Sequence, residues 1–131
     1  MTKAFSLGKS ERIKKQLMID ALFEKGKVFA VNGMKLHWLQ TEFEETVSGK
    51  VMVSVSKRNF KRSVDRNRIK RLMREAYRLN KKELLEQLNQ QNKKLLVAFI
   101  YTGRTIPAFK ECEERIVILL NRVIKKLESG S

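Results

Sequence analysis

Residues 51–77 read VMVSVSKRNFKRSVDRNRIKRLMREAY, and two periodicities follow one another within them. Val51, Val53 and Val55 alternate with Met52, Ser54 and Ser56, the two-residue repeat of a strand with unlike faces. Ile69, Leu72, Met73, Ala76 and Tyr77 then recur three, four, seven and eight positions apart, which is the stripe of a helix lying on a core. A strand followed by an amphipathic helix calls for a fold that mixes both elements, and the whole order, α-β-β-α-(α)-β-α, reads as the α+β class. Away from the stripe, Asn67, Arg71, Arg74 and Arg78 fall on the opposite line of the cylinder. Ser63 and Lys70 flank that line, and Arg66 and Arg68 sit on the two shoulders.

The charge on this segment is far from that of an ordinary solvated face. Residues 57–82 hold twelve Lys or Arg against two acids, Asp65 and Glu75, so they supply +10 of the chain's formal +15. A helix with so few carboxylates lacks the i,i+4 ion pairs that normally stabilise an exposed face. Surface charge that serves solubility is mixed and dispersed. The concentration here implies a polyanionic partner. Residues 62–78 contain six Arg and one Lys, and the planar guanidinium suits bidentate phosphate contacts. From Asn67 to Arg78 the helix spans about 16 Å, enough to follow two or three phosphates. Neither a zipper nor a zinc finger accompanies the helix, and an α+β domain with a sheet face fits single-stranded or structured RNA better than a duplex major groove.

Outward from this segment, the pattern predicts a first helix over about residues 10–25, capped by Ser10 and ended by Gly26. Residues 27–40 (KVFAVNGMKLHWLQ) read as one strand with a kink or bulge at Asn32-Gly33. They are expected to pair antiparallel with 51–56 across an acidic loop. Residues 81–93 read as a short helix, with Asn80 and Glu83 offering a capping-box start. The apolar run LLVAFIY at 95–101 reads as a buried central strand. Pro107 opens a last helix over 108–127, striped by Phe109, Cys112, Ile116, Leu119, Leu120, Val123 and Leu127. With 131 residues, one domain is expected, its ends (1–8 and 128–131) frayed. Two helical connections allow a parallel strand pair.

A catalytic constellation is not found. His37 is the single histidine and lies inside a strand. Cys112, the single cysteine, lies on an apolar stripe and permits neither a disulfide nor a cysteine zinc site. The Glu residues gather in loops and helix starts and not as a pair in one cleft. No catalytic residue and no protein-held metal is expected. No apolar run reaches the roughly 18–20 residues of a membrane span, and the first residues lack the apolar core of a secretory signal, so a cytoplasmic protein without a membrane partner is expected.

The order of residues goes further than the composition. The strand ending S-V-S-K, the basic loop, and then Arg66, Asn67, Arg68, Ile69, Lys70, Arg71, Leu72, Met73 and Arg74 closely resemble the signature of the bacterial ribonuclease P protein subunit. The N-terminal RIKKQLMIDALFEKGKVF and the final apolar helix are similar to that family as well. The resemblance implies an α-β-β-α-β-α sandwich in which helices cover a small mixed sheet, of the class named after the second domain of a small-subunit ribosomal protein. It also implies an uncommon left-handed β-α-β crossover through the basic helix, against the usual handedness.

In function, the resemblance implies a non-catalytic partner of a large catalytic RNA that removes the 5′ leader from precursor tRNA. The hydrolysis would be carried by Mg²⁺ bound to the RNA, with no tightly bound cofactor and no obligate protein partner for this chain. It implies an RNA-facing helix (Arg66, Asn67, Arg68, Lys70, Arg71, Arg74, Arg78) and an RNA-binding basic loop (Lys57, Arg58, Lys61, Arg62). It further implies a leader cleft at Ile19, Phe23, His37 and Ser54. Phe23 matches a family aromatic, whereas Ile19 and His37 stand where aromatics are common and Ser63 replaces an alanine. A structural RNA binder of ribosomal-protein type is the alternative that charge and fold class fit equally well.

Overall fold

The computed structural model describes residues 8–44 and 46–129. After a short 3₁₀ turn (Lys9–Glu11) come α1 (Gln16–Lys25), β1 (Lys27–Val31), β2 (Met34–Gln40), β3 (Gly49–Val55), α2 (Ser63–Asn80), α3 (Lys82–Gln91), β4 (Leu95–Tyr101) and α4 (Phe109–Glu128). The four strands form one mixed sheet in the order β1-β2-β4-β3. β1 with β2 and β2 with β4 are antiparallel, and β3 with β4 is parallel. The α+β class, the small mixed sheet and the central position of 95–101 agree with the sequence. α4 continues through Glu128, inside a range expected to fray, while residues 1–7, 130 and 131 lie outside the described residues.

The alternation of the strands sorts the core into two layers. Met34, Leu36, Trp38, Val51, Val53, Val55, Leu95, Val97, Phe99 and Tyr101 face α2, α3 and α4. There they meet Ile69, Met73, Ala76, Tyr77, Leu84, Leu88 and the α4 stripe. Leu96 and Ala98 face the other way, under α1, and form a smaller cluster with Ile13, Leu22 and Phe43. β4 is apolar on both faces, which is why it takes the centre and leaves the more amphipathic strands outside it.

Four expectations are corrected. Residues 27–40 are a hairpin and not one kinked strand: Val31 opposes Met34 across the two-residue loop Asn32-Gly33. Gly33 takes φ +87° there, a conformation glycine adopts without strain. β2 and β3 are not neighbours, because β4 inserts between them and the 41–48 connection passes over its end. The first helix starts at Gln16 and not near Ser10. Ile13 is buried and its N–H donates to the Val51 carbonyl at 3.0 Å, so tertiary contacts hold residues 12–15 extended despite their helical pattern. Asn80 does not cap α3: its amide donates to the Ala76 carbonyl and the Glu113 carboxylate at 2.8 and 2.9 Å. Gly26 does end α1, donating to Leu22 O at 2.9 Å. A β-carbon there would lie 2.3 Å from Leu22 O and 2.9 Å from Trp38 O, so the helix can pass this close to β2 only with glycine.

Candidate nucleic-acid interface

Helix α2 is fastened by its apolar stripe. Ile69, Met73, Ala76 and Tyr77 are buried, and Leu72, expected among them, is half-buried at the margin. That packing fixes which way the remaining side chains point. Asn67, Arg68, Arg71 and Arg74 are exposed, and Lys70, Arg66 and Arg78 are partly covered. Two shallow hollows run along this surface and share Asn67 and Arg71. The first is bordered by Arg62, Val64, Asp65 and Arg68, the second by Arg12, Arg74, Glu75 and Arg78. The carboxylates on this surface already have partners. Glu75 accepts from Arg78 Nε and Nη2 at 2.9 and 2.6 Å, and these bonds hold its pKa below the usual carboxylate range and raise that of Arg78. Asp65 lies 3.9 Å from Arg62. Arg12, Arg71 and Arg74 make no ion pair among the described residues.

The basic loop between β3 and α2 is held to the fold by side chains on both flanks. Asn59 Nδ2 donates to the carbonyls of Thr102 and Gly103 at 3.0 and 3.2 Å, and Phe60 is buried against Tyr101. Arg66 Nη1 donates to the carbonyls of Phe60 and Lys61 at 2.7 and 2.8 Å. Arg66 therefore spends one guanidinium nitrogen on positioning the loop, a use the sequence did not show. Lys57, Arg58, Lys61 and Arg62 are left exposed on the outer side, continuous with α2.

Sequence reasoning missed Arg12. Burial and then the positive charge of Arg12 lower the proton affinity of the Arg74 guanidinium, so two cations share one hollow although they come from distant parts of the chain. No local pattern around Arg12 carries that signal. It follows from the extended path of residues 12–15 beside β3.

The opposite face of the sheet carries the residues assigned to the leader cleft. The strand register places Val28, His37, Ala98 and Met52 in one row and Ala30, Lys35, Ile100 and Ser54 in the next. α1 covers only part of this face. Phe23, 39% exposed, projects from α1 with its ring centroid 4.7 Å from that of His37. Val28 is 49% exposed beside them. Ile19 packs into the small core cluster with Leu22 and Leu96. Ser54 lies two strands from His37, one row further along. Phe23 and His37 thus meet, whereas Ile19 borders them and Ser54 is separate.

Burial, followed by the charge of Lys35, lowers the His37 pKa below its usual 6.5, and its Nδ1 has no hydrogen-bond partner among the described residues. Because the folded-state value is depressed, the unfolded chain takes up the proton first as pH falls. The contribution of His37 to stability is then full above about 6.5 and is lost as pH falls through the folded-state value. The chain has one histidine, so its imidazole resonances titrate without overlap. An NMR midpoint below 6.5 is expected, and one at or above 6.5 would contradict the burial assigned here.

Nothing among these groups makes a catalytic set. Burial pushes the Cys112 thiol up to about 11, so it stays protonated and non-nucleophilic. Among the described residues no cluster of three or more His, Cys, Asp or Glu could hold a metal ion, and no helix is long and apolar enough to cross a membrane.

Comparison with known proteins shows the family and the fold. A profile of the family described as Ribonuclease P matches residues 7–124. The chain is 34% identical over 127 residues to the "Ribonuclease P protein component" of Porphyromonas gingivalis, a match covering 97% of this chain and 93% of that protein. It is 33% identical over 133 aligned positions to the protein of the same description from Chlorobium phaeobacteroides, covering 90% and 88%. Among solved structures, the RNase P protein of Staphylococcus aureus superposes with a TM-score of 0.70 at 22% identity, covering 88% of this chain and 96% of that one. The RNase P protein of Thermotoga maritima does so with a TM-score of 0.67 at 19% identity, covering 86% and 96%. These two likenesses concern the fold.

Proposed function

The chain belongs to the ribonuclease P protein family, and from that premise we propose that it binds a catalytic ribonuclease P RNA together with precursor tRNA and assists removal of the 5′ leader. The observation that carries this reading is the surface of α2 and its preceding loop. It is a line of Arg and Lys whose few carboxylates are already engaged, packed rigidly on a core and set beside no catalytic group. In this reading the side chains position RNA and neutralise phosphates, while hydrolysis depends on Mg²⁺ bound by the RNA.

The half-covered sheet face suits the single-stranded leader. Phe23 offers a ring on which a base can stack, and neutral His37 offers a second flat ring beside it without adding charge. Val28 and Ile100 extend an apolar floor, and Ser54 supplies a hydroxyl at its far side. The leader would then lie across the sheet while the tRNA and the RNA subunit meet the basic surface.

Reconstitution tests the reading directly. The protein is incubated at low Mg²⁺ with a bacterial ribonuclease P RNA transcript and precursor tRNA. Stimulated 5′ cleavage is expected, and no stimulation would overturn the proposal. Phe23→Ala is expected to lower affinity for precursor tRNA toward that for mature tRNA and to leave RNA-subunit binding unchanged. Equal losses for both tRNAs would remove the leader from this face.

A further inference from the structure

We propose that Arg12 is an additional phosphate-contacting residue of the RNA surface, and that the buried Glu11–Lys81 ion pair is the device that positions it. The proposal rests on the RNA-binding reading of α2 and deepens it.

The geometry starts with Lys81, at the junction of α2 and α3. Its side chain is 2% exposed, and Nζ donates to Glu11 Oε1 and Oε2 at 2.9 and 2.7 Å. Glu11 itself is 13% exposed. On the other side of Arg12, the Ile13 N–H is bound to the Val51 carbonyl and the Ile13 side chain is buried. Arg12 thus sits between two inward-anchored neighbours on an extended segment, where successive side chains point to opposite sides. Its own side chain is exposed and borders the hollow of Asn67, Arg71 and Arg74.

Of the four guanidiniums in this hollow, Arg78 is paired with Glu75, and those of Arg12, Arg71 and Arg74 repel one another in the free protein. Residues 12–15 form no helix and only one isolated bridge to β3, so a surface contact alone would not hold Arg12 there against that repulsion. A surface ion pair contributes little to stability, whereas breaking a buried one strands a charge away from water. The Glu11–Lys81 pair is of the second kind. It joins the N-terminal segment to the end of the basic helix itself, so the two sources of cations are set relative to each other. A phosphate entering the hollow would then be met from α2 on one side and from Arg12 on the other, relieving the repulsion instead of adding to it.

The test is a binding cycle on a ribonuclease P RNA transcript, read across a salt series, with melting temperatures recorded on the same samples. Arg12→Ala is expected to weaken binding about 5–6-fold at roughly 0.15 M salt and to lower the salt slope by just under one. Glu11→Gln is expected to weaken binding to a similar extent, and the double variant to be no weaker than either single one, because the pair acts only through Arg12. Should Glu11→Gln melt below the assay temperature, the apolar Glu11→Leu/Lys81→Met pair, which leaves no buried charge, replaces it in the same cycle. Parent-like binding by Arg12→Ala, or fully additive losses, would overturn the proposal. Arg71→Ala separates the two readings: if it too binds like the parent, the fault lies with the α2 surface as a whole and not with Arg12.

Discussion

An Arg71→Ala/Arg74→Ala variant is expected to bind ribonuclease P RNA about 30-fold more weakly than the parent at roughly 0.15 M salt, with a salt slope shallower by nearly two. Each guanidinium that meets a phosphate releases condensed counterions, and the loss of two such contacts compounds. Both side chains are exposed and neither forms an ion pair among the described residues, so the fold should not suffer. Removing like charges from one hollow relieves repulsion, and the melting temperature should hold or rise. Filter binding or fluorescence titration over a salt series, beside a thermal melt, checks both halves. Unchanged affinity would move the RNA off this face, and a matching fall in stability would show that these residues serve the fold instead.

The largest effect on stability is expected at the centre of the sheet. Phe99 is fully buried on β4, opposite Leu36 on one side and Val53 on the other, with its ring 5.9 Å from that of Tyr77. Phe99→Ala is expected to cost about 3–5 kcal/mol. At about 3–5 °C per kcal/mol for a chain of this size, the melting temperature should fall by roughly 10–20 °C. Urea denaturation should show a lower midpoint at an unchanged slope. A loss within about 1 kcal/mol, the range of a well-tolerated surface change, would mean that the α2 packing does not depend on this ring. Tyr77 shares that dependence: burial, with the field of Glu11 second, raises its hydroxyl pKa, so it contributes as a neutral ring in the core.

Much of this was legible in the residues because it is local. The alternation of Val51, Val53 and Val55, the stripe from Ile69 to Tyr77 and the doubly apolar run 95–101 each report their own surroundings, and each settled into the element expected. Most of the failures are long-range. The inserted β4 separates the two strands that proximity in sequence suggested as partners. The start of α1 was set by Ile13 reaching Val51 and Glu11 reaching Lys81. The short stretch before Asn32-Gly33 favours a kink over a hairpin, yet the five residues of β1 suffice when β2 has β4 on its other side.

The candidate site divides in the same way. The cationic line of α2 could be read from spacing, since a helix projects its own pattern. Two features could not be read this way. Arg66 contributes partly by holding the carbonyls of Phe60 and Lys61, and Arg12 joins the hollow from a segment whose local sequence has no cationic periodicity of its own. On the other face, Phe23 and His37 were individually visible, but their contact depends on how α1 crosses the sheet.

The strand order also has a consequence in time. β4 lies between β2 and β3 yet is made after both of them. On a growing chain, β1 and β2 can close as a hairpin at once, whereas β3 has only the isolated bridge to Arg12 and no partner strand until residues 95–101 emerge. The basic helix is completed in that interval, with Ile69, Met73 and Tyr77 lacking the sheet and the α4 stripe that later bury them. Closing β3 on β4 across the intervening helices is a distant contact, and such contacts form late. The seat of the basic helix on the sheet is therefore completed only after residues 95–101 and the α4 stripe have been made, although the helix itself is translated near the middle of the chain.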